Sequence, residues 1–119
     1  MSQKGSAVVE FALVVPMVLA LILGLVEVAL VARTQLEVVN AAREGARQAA
    51  ASPDPVDAVN AARNALGGHG ASARVSVRRP DVVGGLAEVR VTVPYRVAAP
   101  LFGGVSVEIA ARAAMRVER

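Results

Sequence analysis

Polar and apolar positions divide the chain into three regimes. From Phe11 to Ala32 the sequence FALVVPMVLALILGLVEVALVA is apolar at every position except Glu27, and Glu10 stands immediately before it. Twenty-two residues make a helix of about 33 Å at ~1.5 Å per residue. A hydrocarbon core is ~30 Å thick, so the run is long enough to span one. Pro16 and Gly24 weaken a helix in water but are tolerated in lipid, where freed backbone groups are re-satisfied within the protein. From Thr34 to Ala51 the pattern becomes helical and amphipathic, with Leu36, Val39, Ala42 or Arg43, and Ala46 recurring at helical spacing. No breaker separates the two stretches. One helix from Ser6 to Ala51, about 69 Å long at ~1.5 Å per residue, is predicted.

Ser52-Pro53-Asp54-Pro55 stops that helix, since two prolines cannot continue it. Asp54 then fits an N-cap with Pro55 at the first helical position. Val56, Val59, Ala62, Arg63 and Leu66 predict a short second helix, ended by Gly67-Gly68, with His69-Gly70 continuing the turn. Beyond it the period changes to two. Ala73–Arg79, Glu88–Val97 and Val105–Val117 each alternate apolar with polar or small residues, and Gly84-Gly85 and Pro100 to Gly104 lie between them as turn signals. Short links between successive strands favour an antiparallel meander, with the post-membrane helix covering its apolar face. Pro94 predicts an unpaired or bulged point in the middle strand. The expected fold class is α+β: a long N-terminal transmembrane helix continuing into an amphipathic helix, a short second helix, and a three-stranded antiparallel β-sheet packed on the helix. The repeated Asn-Ala-Ala-Arg at 40–43 and 60–63 reflects Ala-rich composition rather than a structural repeat.

Composition narrows the chemistry. The 119 residues are 55% hydrophobic but only 3% aromatic, and the 87 residues from Arg33 on make a marginal core by themselves. Cysteine is absent, which excludes disulfides, a thiol nucleophile, Cys-based zinc and iron–sulfur chemistry. His69 is the lone histidine, and no metal-ligand spacing occurs. Neither a metal, a cofactor nor catalysis is therefore expected. Gly67-Gly68-His69-Gly70 follows a helix rather than a strand and lacks a following Lys, so it is not a phosphate loop. His69 is expected to be exposed and inert. The net charge of +3 is spread among acids, with no basic block. Arg74, Arg78, Arg79, Arg90 and Arg96 can form a basic sheet face, but Phe11, Tyr95 and Phe102 offer little stacking, so nucleic acid is not an expected partner.

A cleaved secretory signal is the competing reading of the apolar run. Signal h-regions are ~7–15 residues, shorter than this one, and neither Glu27-Val28-Ala29 nor Leu30-Val31-Ala32 offers a small residue at the first position of a small-x-small site. Retention in the membrane is favoured. Orientation stays open on charge: Lys4 and the amino terminus stand on one side, Arg33, Arg43 and Arg47 on the other. Within Lys4-Gly5-Ser6-Ala7-Val8-Val9-Glu10-Phe11, the carboxylate at the membrane edge is costly and by default functional, with a partner. No Lys or Arg lies between Ser6 and Ala32 to supply one. If the chain were cut after Gly5, the new ammonium of Ser6 on one subunit would suit Glu10 of another. The blander alternative is that Glu10 sits as a polar helix end among headgroups. Glu27, near the end of the run and about 100° round from Glu10 at ~3.6 residues per turn, is read as interfacial. Gly24 is a possible helix contact, Arg43–Arg47 a solvated or packing face, and Gly45 a close approach of the sheet.

Gly5 followed by Ser-Ala-Val-Val-Glu-Phe resembles the class III signal of type IV prepilins, with the acid at the fifth mature position. The Glu10-Phe11 pair resembles the subgroup of tight-adherence (Flp, Tad) pili. With the run closing on Gly24-Leu25-Val26-Glu27, the helix Leu36 to Arg47 and the strands ending Ala114-Met115-Arg116-Val117-Glu118, the whole chain resembles the TadE-like pseudopilins. The resemblance implies a leader of residues 1–5, a transmembrane helix over 6–32, its extramembrane continuation over 33–51 and a small α/β pilin-like domain over 52–119. It implies processing at Gly5 and Ser6 by a prepilin peptidase, and an assembly or register role for Glu10 and Phe11. It further implies a single pass in the cytoplasmic membrane with the N-terminus cytoplasmic and the C-terminal domain exterior. Partners would be other pilin and pseudopilin subunits, the assembly platform and its ATPase, with a place in a pilus for adhesion or secretion. Ser6 stands where larger type IV pilins carry Phe, which leaves methylation of the new amine open, and the chain exceeds the short major Flp pilins, so a minor subunit is implied. The alternative is a permanently anchored single-pass adaptor that recruits another envelope protein, with no cleavage after Gly5.

Overall fold

A computed structural model describes residues 3–97 and 105–118. The elements are helix α1 (Gln3–Ala51), helix α2 (Pro55–Leu66), a 3-10 turn (Gly67–His69), and strands β1 (Arg74–Arg78), β2 (Leu86–Arg96) and β3 (Ser106–Arg116). The strands form one antiparallel sheet in the order β1-β2-β3. This is the predicted α+β architecture, on an elongated body 81 Å in its longest dimension. The helix starts at Gln3 rather than Ser6 and runs unbroken through Pro16. The segment 100–104 expected as a turn lies outside the described residues.

Local chemistry accounts for the ends of each element. Asp54 accepts a hydrogen bond from the Val56 amide at 3.0 Å and Pro55 opens α2. Gly67 closes it at φ 59°, a conformation that favours glycine. Arg79 donates from Nε to the Ala49 carbonyl at 2.7 Å, and the Glu118 amide donates to the Ala50 carbonyl at 3.1 Å. Two of the last carbonyls of α1 are thereby satisfied by the sheet. Arg79 thus leaves the basic sheet face on which it was expected.

The core lies between the sheet and the two helices. Val89, Val91 and Val93 of β2 are fully buried against Val38, Ala41, Ala42, Ala46 and Ala49 of α1 and Ala58 and Ala62 of α2. The buried stripe of α1 runs Thr34, Val38, Ala41, Ala42, Gly45, Ala46, Ala49, Ala50. Leu36, predicted on the buried face, is instead 71% exposed. The sheet and α2 both crowd against α1, and only a stripe of small residues admits two neighbours at once. Gly45 is the tightest point: a Cβ there would lie 3.0 Å from Val89 Cγ1 and 3.2 Å from Ala62 Cβ. The close approach expected at Gly45 is present, and it involves α2 as well as the sheet.

Pro94 interrupts nothing. It pairs in register with Glu108, and the ladder runs from Leu86↔Arg116 to Arg96↔Ser106 without a bulge. The reason lies in the neighbouring strand: β1 pairs only as far as Thr92. At Pro94 the middle strand has one neighbour and one open edge, where a missing amide does no harm.

Gly45 supplies a stability test. Alanine there gains helix propensity of about 1 kcal/mol, which offsets the tight contacts, so Gly45→Ala is expected to be near neutral. Gly45→Leu is expected to cost about 1–3 kcal/mol by overpacking. Denaturant unfolding of the full chain in detergent, followed by circular dichroism, measures both.

Candidate functional site: the exposed helix and its junction with the sheet

From Gln3 to Val26, α1 is exposed almost throughout. Phe11, Leu13, Met17, Leu19 and Leu23 are all 49% exposed or more, and they point in all directions round the helix. The most apolar window has a mean hydropathy of 2.7 and is 0% buried. A surface this large and apolar is covered by lipid or by other protein. The helix is long and apolar enough to cross a membrane.

All four residues singled out from the sequence sit on this bare segment. Gly5, Ser6, Glu10 and Phe11 are helical and exposed. Ser6 and Glu10 are one turn apart on a common face. Among the described residues no ion pair forms at Glu10, so its carboxylate faces outward from the chain. Phe11, 71% exposed, lies beside it in sequence and one residue round the helix.

The upper end of the bare segment is built differently. Thr34 is buried and donates from Oγ1 to the Leu30 carbonyl at 3.0 Å, so its hydroxyl is satisfied within the helix. Nearly two turns below it, Glu27 meets Tyr95 of β2: the phenol hydroxyl donates to the carboxylate. Carboxylate oxygen Oε2 of Glu27 is buried. The Tyr95 phenol is pushed above its ordinary value, first by burial, then by the negative charge of Glu27, then by the hydrogen bond itself. The sequence gives Glu27 as interfacial; the structure makes it the attachment point of the sheet to the end of the apolar run. The available signal was the single tyrosine, placed on the apolar face of a period-two strand where its hydroxyl required a partner.

The hydrophilic side of α1 above this junction is conventional. Arg33 pairs with Glu37 at 3.4 Å. Arg47 donates from Nε to Glu44 at 3.3 Å, which holds the Glu44 carboxyl below and the Arg47 guanidinium above their usual ranges. His69 is half-buried rather than freely exposed, and its Nε2 lies 3.9 Å from Glu37. These groups are exposed enough that such pairs contribute little.

Residues 5–47 match the family model described as TadE-like protein. The chain's N-terminal helix is TadE-like. The match opens on Gly5, covers Ser6, Glu10, Phe11 and Glu27, and ends at Arg47, four residues before the end of α1. It does not reach α2 or the sheet. No curated protein and no solved structure matches the chain. The TadE-like helix associates the chain with tight-adherence pilus machinery in general terms, and helix and family together point to a membrane-anchored protein.

Tyr95 is the only tyrosine and tryptophan is absent, so phenolate absorbance reports this junction alone. The folded chain holds the phenol proton more tightly than the unfolded chain. That contribution to stability is complete below pH ~10, the ordinary tyrosine value, and is lost as pH rises through the raised folded value. In a spectrophotometric titration of the full chain in detergent, the midpoint is expected above the ordinary value. Glu27→Gln is expected to move it down, though not fully, because burial remains.

Proposed function

We propose that this chain is a minor pseudopilin of a tight-adherence type IVb pilus system, cut after Gly5 by a prepilin peptidase and incorporated into, or initiating, a pilus that serves adhesion or secretion. The supporting observation is the coincidence of a TadE-like match that begins at Gly5 with a helix whose apolar surface is bare on all sides up to the sheet junction. In this reading the N-terminus is cytoplasmic and the α/β domain exterior. The membrane holds the helix until an assembly platform and its ATPase extract the subunit, and packing against neighbouring helices replaces lipid. The chain acts by assembling rather than by catalysis.

Glu10 has a physical role in this scheme. A carboxylate carried into an apolar bundle needs a partner. Cleavage would create one at Ser6, one turn away on the same helix face. An ammonium on one subunit and Glu10 on the next would neutralise each other and fix the axial offset between neighbouring helices. Phe11, next to Glu10 and fully outward, would pack across the same contact.

One observation favours a second reading, a permanently anchored single-pass adaptor of the envelope: α1 is helical without a break through Gly5 and Ser6, and a peptidase acts on an unwound backbone. The N-terminal residue and intact mass of the protein from its native membrane separate the two. A start at Ser6 is expected, with any added methyl mass visible in the same spectrum. A start at Met1 or Ser2 with the peptidase present selects the adaptor. Glu10→Ala is expected to leave cleavage largely intact and to impair incorporation into sheared pili; normal incorporation would remove the pairing role.

A further inference from the structure

The face of the sheet turned away from both helices is unusually basic. The residues alternating with the helix-facing positions of β1, β2 and β3 include Arg74, Arg78, Arg90, Arg96, Arg112 and Arg116, against Glu88 and Glu108. That surplus of four positive charges exceeds the +3 of the whole chain, so everything off this face is on balance slightly acidic. The arrangement is also costly. Arg90 stands directly opposite Arg112 in the β2–β3 register, and like charges directly opposite destabilise a sheet. Among the described residues, Glu88 offsets this with an ion pair to Arg112 at 3.3 Å. Ser76, Arg78, Glu88, Arg90 and Arg112 line a shallow depression there. A conflict of this kind inside an otherwise consistent fold marks a place shaped by something other than stability.

The geometry points to a docking face for an acidic protein surface, one that inserts a carboxylate between Arg90 and Arg112. Guanidinium groups pair bidentately with carboxylates, and a carboxylate in the depression removes the like-charge conflict the free sheet carries. Three features select a protein over other polyanions. No aromatic residue lies on this face among the described residues, so bases and sugar rings find nothing to stack on. Glu88 and Glu108 interrupt the positive field, which suits a partner of mixed charge and disfavours the uniform charge of a nucleic-acid backbone. The strands run along α1, since Tyr95 lies at the level of Glu27 and Glu118 at the level of Ala50. The face therefore stands alongside the helix axis, and a bilayer crossed by that helix meets the strand ends near Arg96 rather than the face.

The test uses the full chain in non-ionic detergent and three probes: a labelled peptide of net negative but mixed charge, with glutamates interspersed with serine and single lysines, duplex DNA, and phosphatidylglycerol vesicles. The peptide is expected to bind, and Arg90→Glu with Arg112→Glu is expected to weaken it by about tenfold or more, the loss of one or more desolvated charge pairs. Arg33→Glu with Arg43→Glu on α1 changes the net charge equally and is expected to leave binding within about twofold, since rim charges far from the contact act weakly. Equal losses in both double variants would mean attraction to net charge alone and would overturn the assignment. So would tighter binding of DNA or vesicles than of the peptide through Arg90 and Arg112. A second measurement guards against misfolding: Arg90→Thr removes the like-charge opposition, so its melting temperature is expected to equal or exceed the parent's while peptide binding falls. A lower melting temperature would assign the arginines to holding the sheet and would overturn the docking role.

Discussion

Everything in this chain hangs on one helix that serves two environments. The lower part of α1 exposes leucine, valine and phenylalanine on every side, which water does not tolerate and lipid or a helix bundle does. The upper part narrows to alanine and Gly45 so that a sheet and a second helix lie against it together. A small domain of this size has little core of its own, and here the core is borrowed: the buried valines of β2 have α1 as their floor. Remove the helix and the sheet loses its only extended apolar partner among the described residues. Apolar segment and scaffold are therefore one element, and no linker separates the domain from the bare part of the helix.

Most of this was legible along the chain because each element carried its own period and its own stop. The apolar run became helix, and the prolines at 53 and 55, the Asp54 cap, the Gly67 end and the period-two strands became the elements and ends they predicted. Where the pattern misled, a neighbour was responsible. Leu36 has the spacing of a core residue, yet the face that α1 buries is the one with the smallest side chains, because two partners compete for it. Pro94 looks like a break, yet β1 ends two residues short of it and leaves nothing to break. Such outcomes depend on contacts between elements, and a single strand or helix does not contain them.

The candidate site divides along the same line. Glu10 was visible because a carboxylate at the edge of a long apolar run is an arrangement that lipid alone does not favour, whereas Gly5, Ser6 and Phe11 were visible through the resemblance to prepilin signals. The structure adds only that they are helical and exposed. Glu27 was visible as a charge and opaque as a role, since its meaning depends on Tyr95, sixty-eight positions later on another element. The match to the TadE-like family covers both acids but ends before the strand that gives Glu27 its partner.

That pairing constrains how an assembly of such subunits would be arranged. Glu10 and Glu27 are separated by seventeen residues of unbroken helix, about 26 Å of rise and a turn of about 100°. Through Tyr95, Glu27 fixes where the sheet sits around α1 and at what height. A contact that sets the rotation of Glu10 therefore sets the direction in which the domain faces, because no loop intervenes to absorb a twist. The sheet shows its helix-covered face to α1 and its arginine face to the opposite side. In a bundle with the α1 helices at its centre, a carboxylate near the N-terminus would thus decide which way a basic surface tens of ångströms away is presented. A flexible linker at Arg33 would have uncoupled the two. The sequence from Thr34 to Ala51 instead carries the helix straight through, so whatever fixes the rotation of the N-terminal end of α1 also fixes, through the rigidity of a single element, the direction in which the sheet faces.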